Sequence, residues 1–255
     1  MPWDPEKYHQ FQKERSAPFE DLVKLIEARP NLEVVDLGCG TGELTAELAA
    51  RLPGSRVLGI DSSPEMLERA LPKATSSLRF ELVPIESLQG SWDLVFSNAA
   101  LQWIPDHARL IPRIFSLVRP GGQMVIQVPS NYQHATHRLI RETAQEQPFD
   151  AALDGWARPS PVLSIDGYAE LLYEAGGRDL VVFEKVYPHL LKDADALVDW
   201  TSGTALVPYF ERLGPGLKEA FLERYRQRLR GRYPGSPVFY GFRRTLFSAH
   251  RPAGA

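Results

Sequence analysis

Val34-Val35-Asp36-Leu37-Gly38-Cys39-Gly40-Thr41-Gly42 is the stretch that decides the fold. A short apolar run ends in an acid and passes into three glycines at every second position. A second apolar run, Val57-Leu58-Gly59-Ile60, closes on Asp61, nineteen residues after Gly42. Strand, glycine turn, helix and a second strand ending in an acid make a nucleoside-binding β-α-β unit. The glycine spacing narrows the ligand. A dinucleotide site uses G-x-G-x-x-G, with backbone amides and a helix N-terminus facing a pyrophosphate. Here the pattern is G-x-G-x-G, and Asp36 lies beside it. A carboxylate at that point repels a pyrophosphate and suits a ligand that carries ammonium and sulfonium groups.

S-adenosylmethionine (SAM) has both groups and no phosphate, so SAM is the expected cofactor. The glycines let the backbone pass close to its methionine and ribose portions. Cys39 is the one cysteine, so no intramolecular disulfide can form. Its place in the loop is explained by small size, and a buried structural residue is the expectation rather than a nucleophile.

The 255 residues, 44% hydrophobic, allow one large domain or one domain with an elaborate insert. Residues 1–255 are read as a single domain. Net charge is −3 and the pI about 6.1, so bulk charge does not favour a nucleic-acid partner. The charge is uneven: residues 201–255 hold ten Lys/Arg against three Asp/Glu. Met1-Pro2-Trp3-Asp4-Pro5-Glu6 lacks an apolar h-region, so no signal peptide is expected. No apolar run approaches the ~18 residues of a membrane span. No membrane partner and a cytoplasmic location follow as expectations. The six histidines are scattered without metal-ligand spacing, so no metal is expected. The oligomeric state is left open.

Strand-like runs at Glu33–Asp36, Arg56–Ile60, Arg79–Val83, Leu94–Asn98 and Gln123–Val128 alternate with helical patterns. Glu43–Leu52 repeats leucine at helical spacing, Ser63-Pro64-Glu65 opens a helix with a cap and a proline, and His107–Val118 is again helical. Pro120-Gly121-Gly122 reads as a turn. Strict alternation predicts a parallel sheet with helices on both faces. Beyond it, Ser164–Ala175 reads as a helix, Leu180–Tyr187 and Val238–Ser248 as strands, and Asp193–Tyr233 as helical with breaks at Pro208 and Gly214-Pro215-Gly216. Residues near 129–163 and 188–237 exceed a minimal sheet. They are read as cap inserts, since ligands bind beyond the carboxyl ends of strands.

These residues resemble class I SAM-dependent methyltransferases. That fold is a Rossmann-like α/β sheet of seven mostly parallel strands, with the first strand central and the seventh antiparallel. Further motifs are similar to trans-aconitate 2-methyltransferases: Trp3-Asp4-Pro5-x-x-Tyr8-x-x-Phe11-x-x-Glu14-Arg15-Ser16, Gly59-Ile60-Asp61-Ser62-Ser63-Pro64-Glu65-Met66, Asn98-Ala99-Ala100-Leu101-Gln102-Trp103-Ile104-Pro105-Asp106-His107 and Phe242-x-Arg244. The Leu-Gln-Trp part is shared with malonyl-carrier-protein O-methyltransferases, and the N-terminal motif favours the aconitate group. The resemblance implies a cofactor site of Asp36, Gly38, Cys39, Gly40 and Gly42 along methionine and ribose, with Asp61 on the ribose hydroxyls. Ser62 and Met66 would lie near adenine, Asn98 and Ala99 beside methionine, and Arg15 near the SAM carboxylate. Where the family often has an Asp for the adenine amine this chain has Pro84, which leaves the Ile85 amide and Glu86 for that contact.

The implied reaction makes a monomethyl ester on a carboxylate of a small polycarboxylate. A carboxylate is already ionised at neutral pH, so no general base is required. Positioning and water exclusion carry the catalysis. No catalytic group is therefore expected; Tyr8 and Trp103 would position the substrate. A hydroxyl or amine acceptor would want a base, for which His107 and His134 are the candidates. A polyanion needs cations, and arginine suits bidentate recognition. Arg138 and Arg244 are the substrate candidates, with Tyr8 and Trp103. The run Arg224, Arg226, Arg228, Arg230, Arg232 is read as a solvated helix. Two alternatives are carried: a carrier-bound malonyl substrate, for which the basic C-terminal region is the argument, and a non-catalytic SAM- or RNA-binding module.

Overall fold

The computed structural model describes residues 12–254, with side chains from residue 17 onward. Its strands are β1 (Glu33–Leu37), β2 (Arg56–Asp61), β3 (Leu78–Leu82), β4 (Trp92–Asn98), β5 (Val118–Pro129), β6 (Arg178–Leu191) and β7 (Val238–His250). Its helices are α1 (Gln12–Val23), α2 (Glu43–Arg51), α3 (Pro64–Ala70), α4 (His107–Phe115), α5 (Ala135–Ala144), α6 (Phe149–Ala152), α7 (Ile165–Glu174), α8 (Ala194–Ser202), α9 (Val207–Arg212) and α10 (Pro215–Arg232). The strands make one sheet in the order β3-β2-β1-β4-β5-β7-β6. The pairs β3–β2, β2–β1, β1–β4 and β4–β5 are parallel, and β7 runs antiparallel to β5.

The chain divides into two compact units. One holds residues 17–129, 161–185 and 244–255. Consecutive strand residues point to opposite faces, and both faces of this unit are covered. Val34, Leu94, Phe96, Val125 and Leu246 pack with Phe19 and Leu22 of α1, Leu48 of α2 and Leu67 of α3. Val35, Leu37, Val95, Ile126 and Phe247 pack with Leu110, Ile111 and Ile114 of α4 and with Tyr168 and Leu172 of α7. Burial on both sides explains why these strands read as continuous apolar runs.

Several boundaries differ from the sequence expectation. Helix α4 ends at Phe115 rather than Val118, because Val118 pairs with Trp92 and starts β5. Pro120-Gly121-Gly122, expected as a turn, lies inside β5 as an irregularity where the register shifts between Trp92 and Leu94. The Gly121 amide donates to Arg251 O and the Arg251 amide to Gly122 O, so backbone pairing continues through the bulge. Strand β6 also runs past Tyr187 to Leu191.

The second unit includes residues 130–160 and 186–243. Its core joins Ile140 of α5, Phe149 of α6, Leu197 and Val198 of α8, and Tyr209 of α9. Phe221, Tyr225 and Leu229 of α10 complete it, one helical turn apart on a single stripe. Pro208 and Pro215 open α9 and α10, where a missing amide hydrogen costs nothing. The arginine run is solvent-facing, as read, with Arg224, Arg230 and Arg232 exposed, and it is also paired. Its alternate positions sort onto two faces of α10. Arg224 and Arg228 pair with Glu142 and Glu146 from the α5 region, while Arg226 and Arg230 pair with Asp195 of α8. No helix among the described residues is long and apolar enough to cross a membrane.

Candidate active site

After β1 the chain is stitched to the end of β2. The Gly38 and Cys39 amides both donate to Ile60 O, at 2.8 and 2.9 Å. The Gly40 amide donates to Asp61 Oδ2 at 2.9 Å. Gly38 has φ +76°, and a Cβ there would lie 2.2 Å from the Ala100 Cβ, so glycine alone lets this turn approach the one after β4. Gly40, at φ +56°, faces open space: a Cβ would meet nothing within 4 Å. Gly42 sits at the N-cap of α2.

Asp61 Oδ1 accepts the Ser63 amide at 2.9 Å, and the Ser63 hydroxyl oxygen accepts the Met66 amide at the start of α3. Asp61 thus ties the glycine loop and the α3 cap together, and its oxygens keep lone pairs for further donors. Ser62 is exposed and Met66 half-buried beside it. Asp36 is buried and accepts the Thr45 hydroxyl at 2.6 Å. Burial pushes its pKa up to about 7; the Thr45 bond opposes this and the nearby Asp61 charge adds to it. Burial, reinforced by Asp36 and Asp61, also pushes the Cys39 thiol well above its usual range, so it is no nucleophile.

Strand β4 ends at Asn98, and Ala99 follows with φ +57°. The Ala99 amide donates to Gln127 O of β5, and the Gln102 side-chain amide donates to Ala99 O. Asn98 Oδ1 is buried and accepts no hydrogen bond. After β3, Pro84 leads into a short 3-10 turn at Ile85–Ser87, and Ile85 Cδ1 lies 3.7 Å from the Cβ position of Gly38. The turns after β1, β2, β3 and β4 therefore converge at the carboxyl ends of the strands. The arrangement fits SAM: acceptors for a ribose diol at Asp61, open space beside the backbone at Gly40, and an unfilled buried acceptor at Asn98 for an ammonium. Among the described residues no group of three or more His, Cys, Asp or Glu is placed to hold a metal ion.

Residues 28–176 match a family model described as a methyltransferase domain. The whole chain is similar to trans-aconitate 2-methyltransferase of Deinococcus radiodurans, 50% identical with 99% of each chain covered. The chain belongs to the trans-aconitate 2-methyltransferase family. The enzyme of that name from Variovorax paradoxus is 38% identical, with 92% of this chain and 91% of its own length covered. Among solved structures, the YcgJ protein of Bacillus subtilis has the same fold, with TM-score 0.62 at 14% identity, covering 94% of this chain and 100% of that one.

The remaining site candidates of this methyltransferase separate clearly. Trp3 and Tyr8 and the Arg15 side chain lie outside the described residues. Trp103 closes a short 3-10 turn, Leu101–Trp103, and is about half exposed, at 49%. Arg244 is buried at the β7 position that pairs with Pro129, and its Nη1 lies 3.5 Å from Gln127 Oε1. Arg138 lies on α5 in the other unit, its side chain 57% exposed and 4.0 Å from Glu142. Nothing in that setting marks it as a buried anion ligand.

The two histidines weighed as bases are both engaged. His107 Nε2 lies 2.9 Å from Leu101 O, so that nitrogen carries the proton. Nδ1 then accepts the Tyr168 hydroxyl at 2.6 Å. Burial holds the His107 pKa below its ordinary value. This bond fixes the Leu101–Trp103 turn rather than serving as a base. His134 caps α5 by accepting the Thr136 amide, and burial, helped by Arg243, Arg232 and Arg138, lowers its pKa to about 4. Gln127 and Thr45 were not singled out from sequence. Gln127 had a signal: it is the polar break in the apolar run Met124-Val125-Ile126-Gln127-Val128.

Proposed function

We propose that this chain transfers the SAM methyl group to a carboxylate oxygen of trans-aconitate or a closely related small polycarboxylate. The observation that carries the reading is full-length likeness, 50% identity to a relative of that name. The cofactor loop supports it. SAM, when bound, supplies a methyl group on a sulfonium centre. Asp61 would hold the ribose diol, with Gly38, Cys39, Gly40 and Gly42 along the nucleoside and methionine. Asp36 and Asn98, with Ala99, would face the methionine end; Ser62, Met66 and the Ile85 amide would border adenine, and Arg15 the SAM carboxylate. Arg244 would meet the acceptor, aided by Trp103 and Tyr8, and the protein would orient it and exclude water rather than move a proton. Residues 1–255 are read as one methyltransferase domain with inserts near 129–163 and 188–237, acting in the cytoplasm on a small anion rather than on nucleic acid. The carrier-protein alternative loses its argument, because Arg224, Arg226, Arg228 and Arg230 are spent on ion pairs within their own unit.

The test is incubation with SAM and a panel of di- and tricarboxylates, read by product mass. A monomethyl ester that alkali hydrolyses supports the reading. An alkali-stable methyl product, or methylation of a carrier-bound thioester alone, sinks it.

A further inference from the structure

Gln127 is fully buried in β5, yet its side chain is only half satisfied. Oε1 lies 3.5 Å from Arg244 Nη1, and Nε2 has no hydrogen-bond partner. The amide cannot be turned over to cure this, because its NH2 would then face a guanidinium, which has no acceptor. A buried donor left open is costly, and natural cores rarely keep one without a use. Gln127 pairs in register with Asn98, whose Oδ1 is also buried and unfilled. Arg244 stands opposite Pro129, two residues along β5, so it shares a face with Gln127. Three polar side chains thus lie together on one face of the sheet, beyond the apolar pair Phe96 and Val125.

We infer that Gln127 Nε2 and the Arg244 guanidinium together receive a carboxylate of the acceptor, with Asn98 marking the boundary toward the cofactor. The inference rests on the methyltransferase reading above and adds a residue to it. Strand order decides which carboxylate this is. The nucleoside loop lies at β1 and β2, and β4 and β5 lead away from it toward β7. Asn98 ends β4, so Gln127 and Arg244 lie beyond the methionine end, on the acceptor side. The set is made of donors: an amide NH2 and a guanidinium accept nothing, and Gln127 Oε1 is turned to Arg244. Such a site takes an ionised carboxylate in preference to a carboxamide, because a carboxamide offers the two donors one oxygen in place of two.

Gln127→Glu replaces the open donor with an acceptor, and Gln127→Met removes both polar ends at similar volume. Each variant is compared with the parent for KM and kcat on trans-aconitate, for affinity toward S-adenosylhomocysteine by calorimetry, and for melting temperature. The expected result is a KM raised roughly thirtyfold or more by Glu and roughly tenfold by Met. Affinity for S-adenosylhomocysteine should stay within about twofold. If Glu fails to fold beside Arg244, Met decides the matter. KM within about twofold of an active parent, in a folded Met variant, overturns the inference and leaves the proposed function standing. Loss of S-adenosylhomocysteine affinity in step with KM also overturns it, because the amide then serves the cofactor carboxylate. A parent that binds S-adenosylhomocysteine but neither methylates nor binds any carboxylate overturns the functional reading and this inference with it.

Discussion

At the scale of single residues, two acids sit close together and behave differently. Asp61 spends one lone pair on the Gly40 amide and one on the Ser63 amide. Asp61→Ala should therefore weaken SAM binding through lost ribose contacts and a loosened loop, by ~1.5–3 kcal/mol or more. Calorimetry showing parental affinity would remove Asp61 from the site. Its position was legible from sequence, since an acid ending the second strand is part of the motif. Its bonds to the loop were not, because backbone amides leave no mark on residue choice. Asp36 was legible as an acid by the loop but not as a group with pKa about 7, because that value comes from burial. The folded pKa lies above the ordinary 3.8, so the proton favours the fold. That contribution is complete at low pH, below the pKa of the unfolded chain, and is lost as pH rises toward 7. A cationic ligand reverses the preference. SAM binding near neutral pH should release protons, S-adenosylhomocysteine fewer, and Asp36→Asn should abolish the release. Calorimetry in two buffers of different ionisation enthalpy reads this directly, and equal heats in both would refute it.

At the scale of elements, α10 shows how a charge pattern can be seen while its partners are not. Five alternate arginines look like an all-round polar helix. A step of two residues turns 200°, however, so every second arginine returns to nearly the same face. Which acids wait on those faces depends on where α5 and α8 pack, and no local pattern carries that. Conversely, the starts of α9 and α10 were marked by Pro208 and Pro215, since proline acts locally. Glu146 takes hydrogen bonds from both Arg224 and Arg228. Chiefly through Arg224, its pKa is held down at about 2. The folded value is below the ordinary 4.5, so the stabilisation is present above about pH 4.5 and lost as pH falls toward 2. The pairs are partly exposed and screened, so Glu146→Gln should cost only ~1 kcal/mol or less in urea unfolding at pH 7. The loss should shrink further at ~1 M salt. A larger, salt-insensitive loss would mean that α10 is held by a desolvated pair rather than a screened one.

At the scale of the whole molecule, pH separates the chemistry from the stability of the fold. The parallel sheet and its switch from strand to glycine turn were readable because burial and motif spacing are written in order along the chain. The inserts near 129–163 and 188–237 were readable as well, and residues 130–160 and 186–243 fall together in one compact unit. Which side chains meet inside that unit was not, because that depends on contacts between distant segments. Three half-buried or buried histidines tie stability to acid: His107 is lowered by burial, His134 to about 4 and His137 to about 3. Each has a folded pKa below the ordinary 6.5. The unfolded chain therefore binds their protons first, and stability is eroded as pH falls below about 6.5. Activity measured only as initial rate would mix that erosion with catalysis, and with the proton linked to Asp36. Single-turnover methyl transfer, with substrate and SAM saturating, isolates the chemical step. A carboxylate acceptor has a pKa of ~4 and stays ionised, so the step should be flat from pH 8 to pH 6 and indifferent to EDTA. The geometry agrees, since both His107 nitrogens are bonded and His134 Nδ1 is used as a cap, leaving neither poised to take an acceptor proton. A hydroxyl or amine acceptor would instead need a base titrating near 7. Its rate would drop about tenfold per pH unit below that pKa. A fall of that size between pH 8 and 6, in protein shown by circular dichroism to remain folded, would transfer the reaction to a protonated acceptor and end the carboxylate reading.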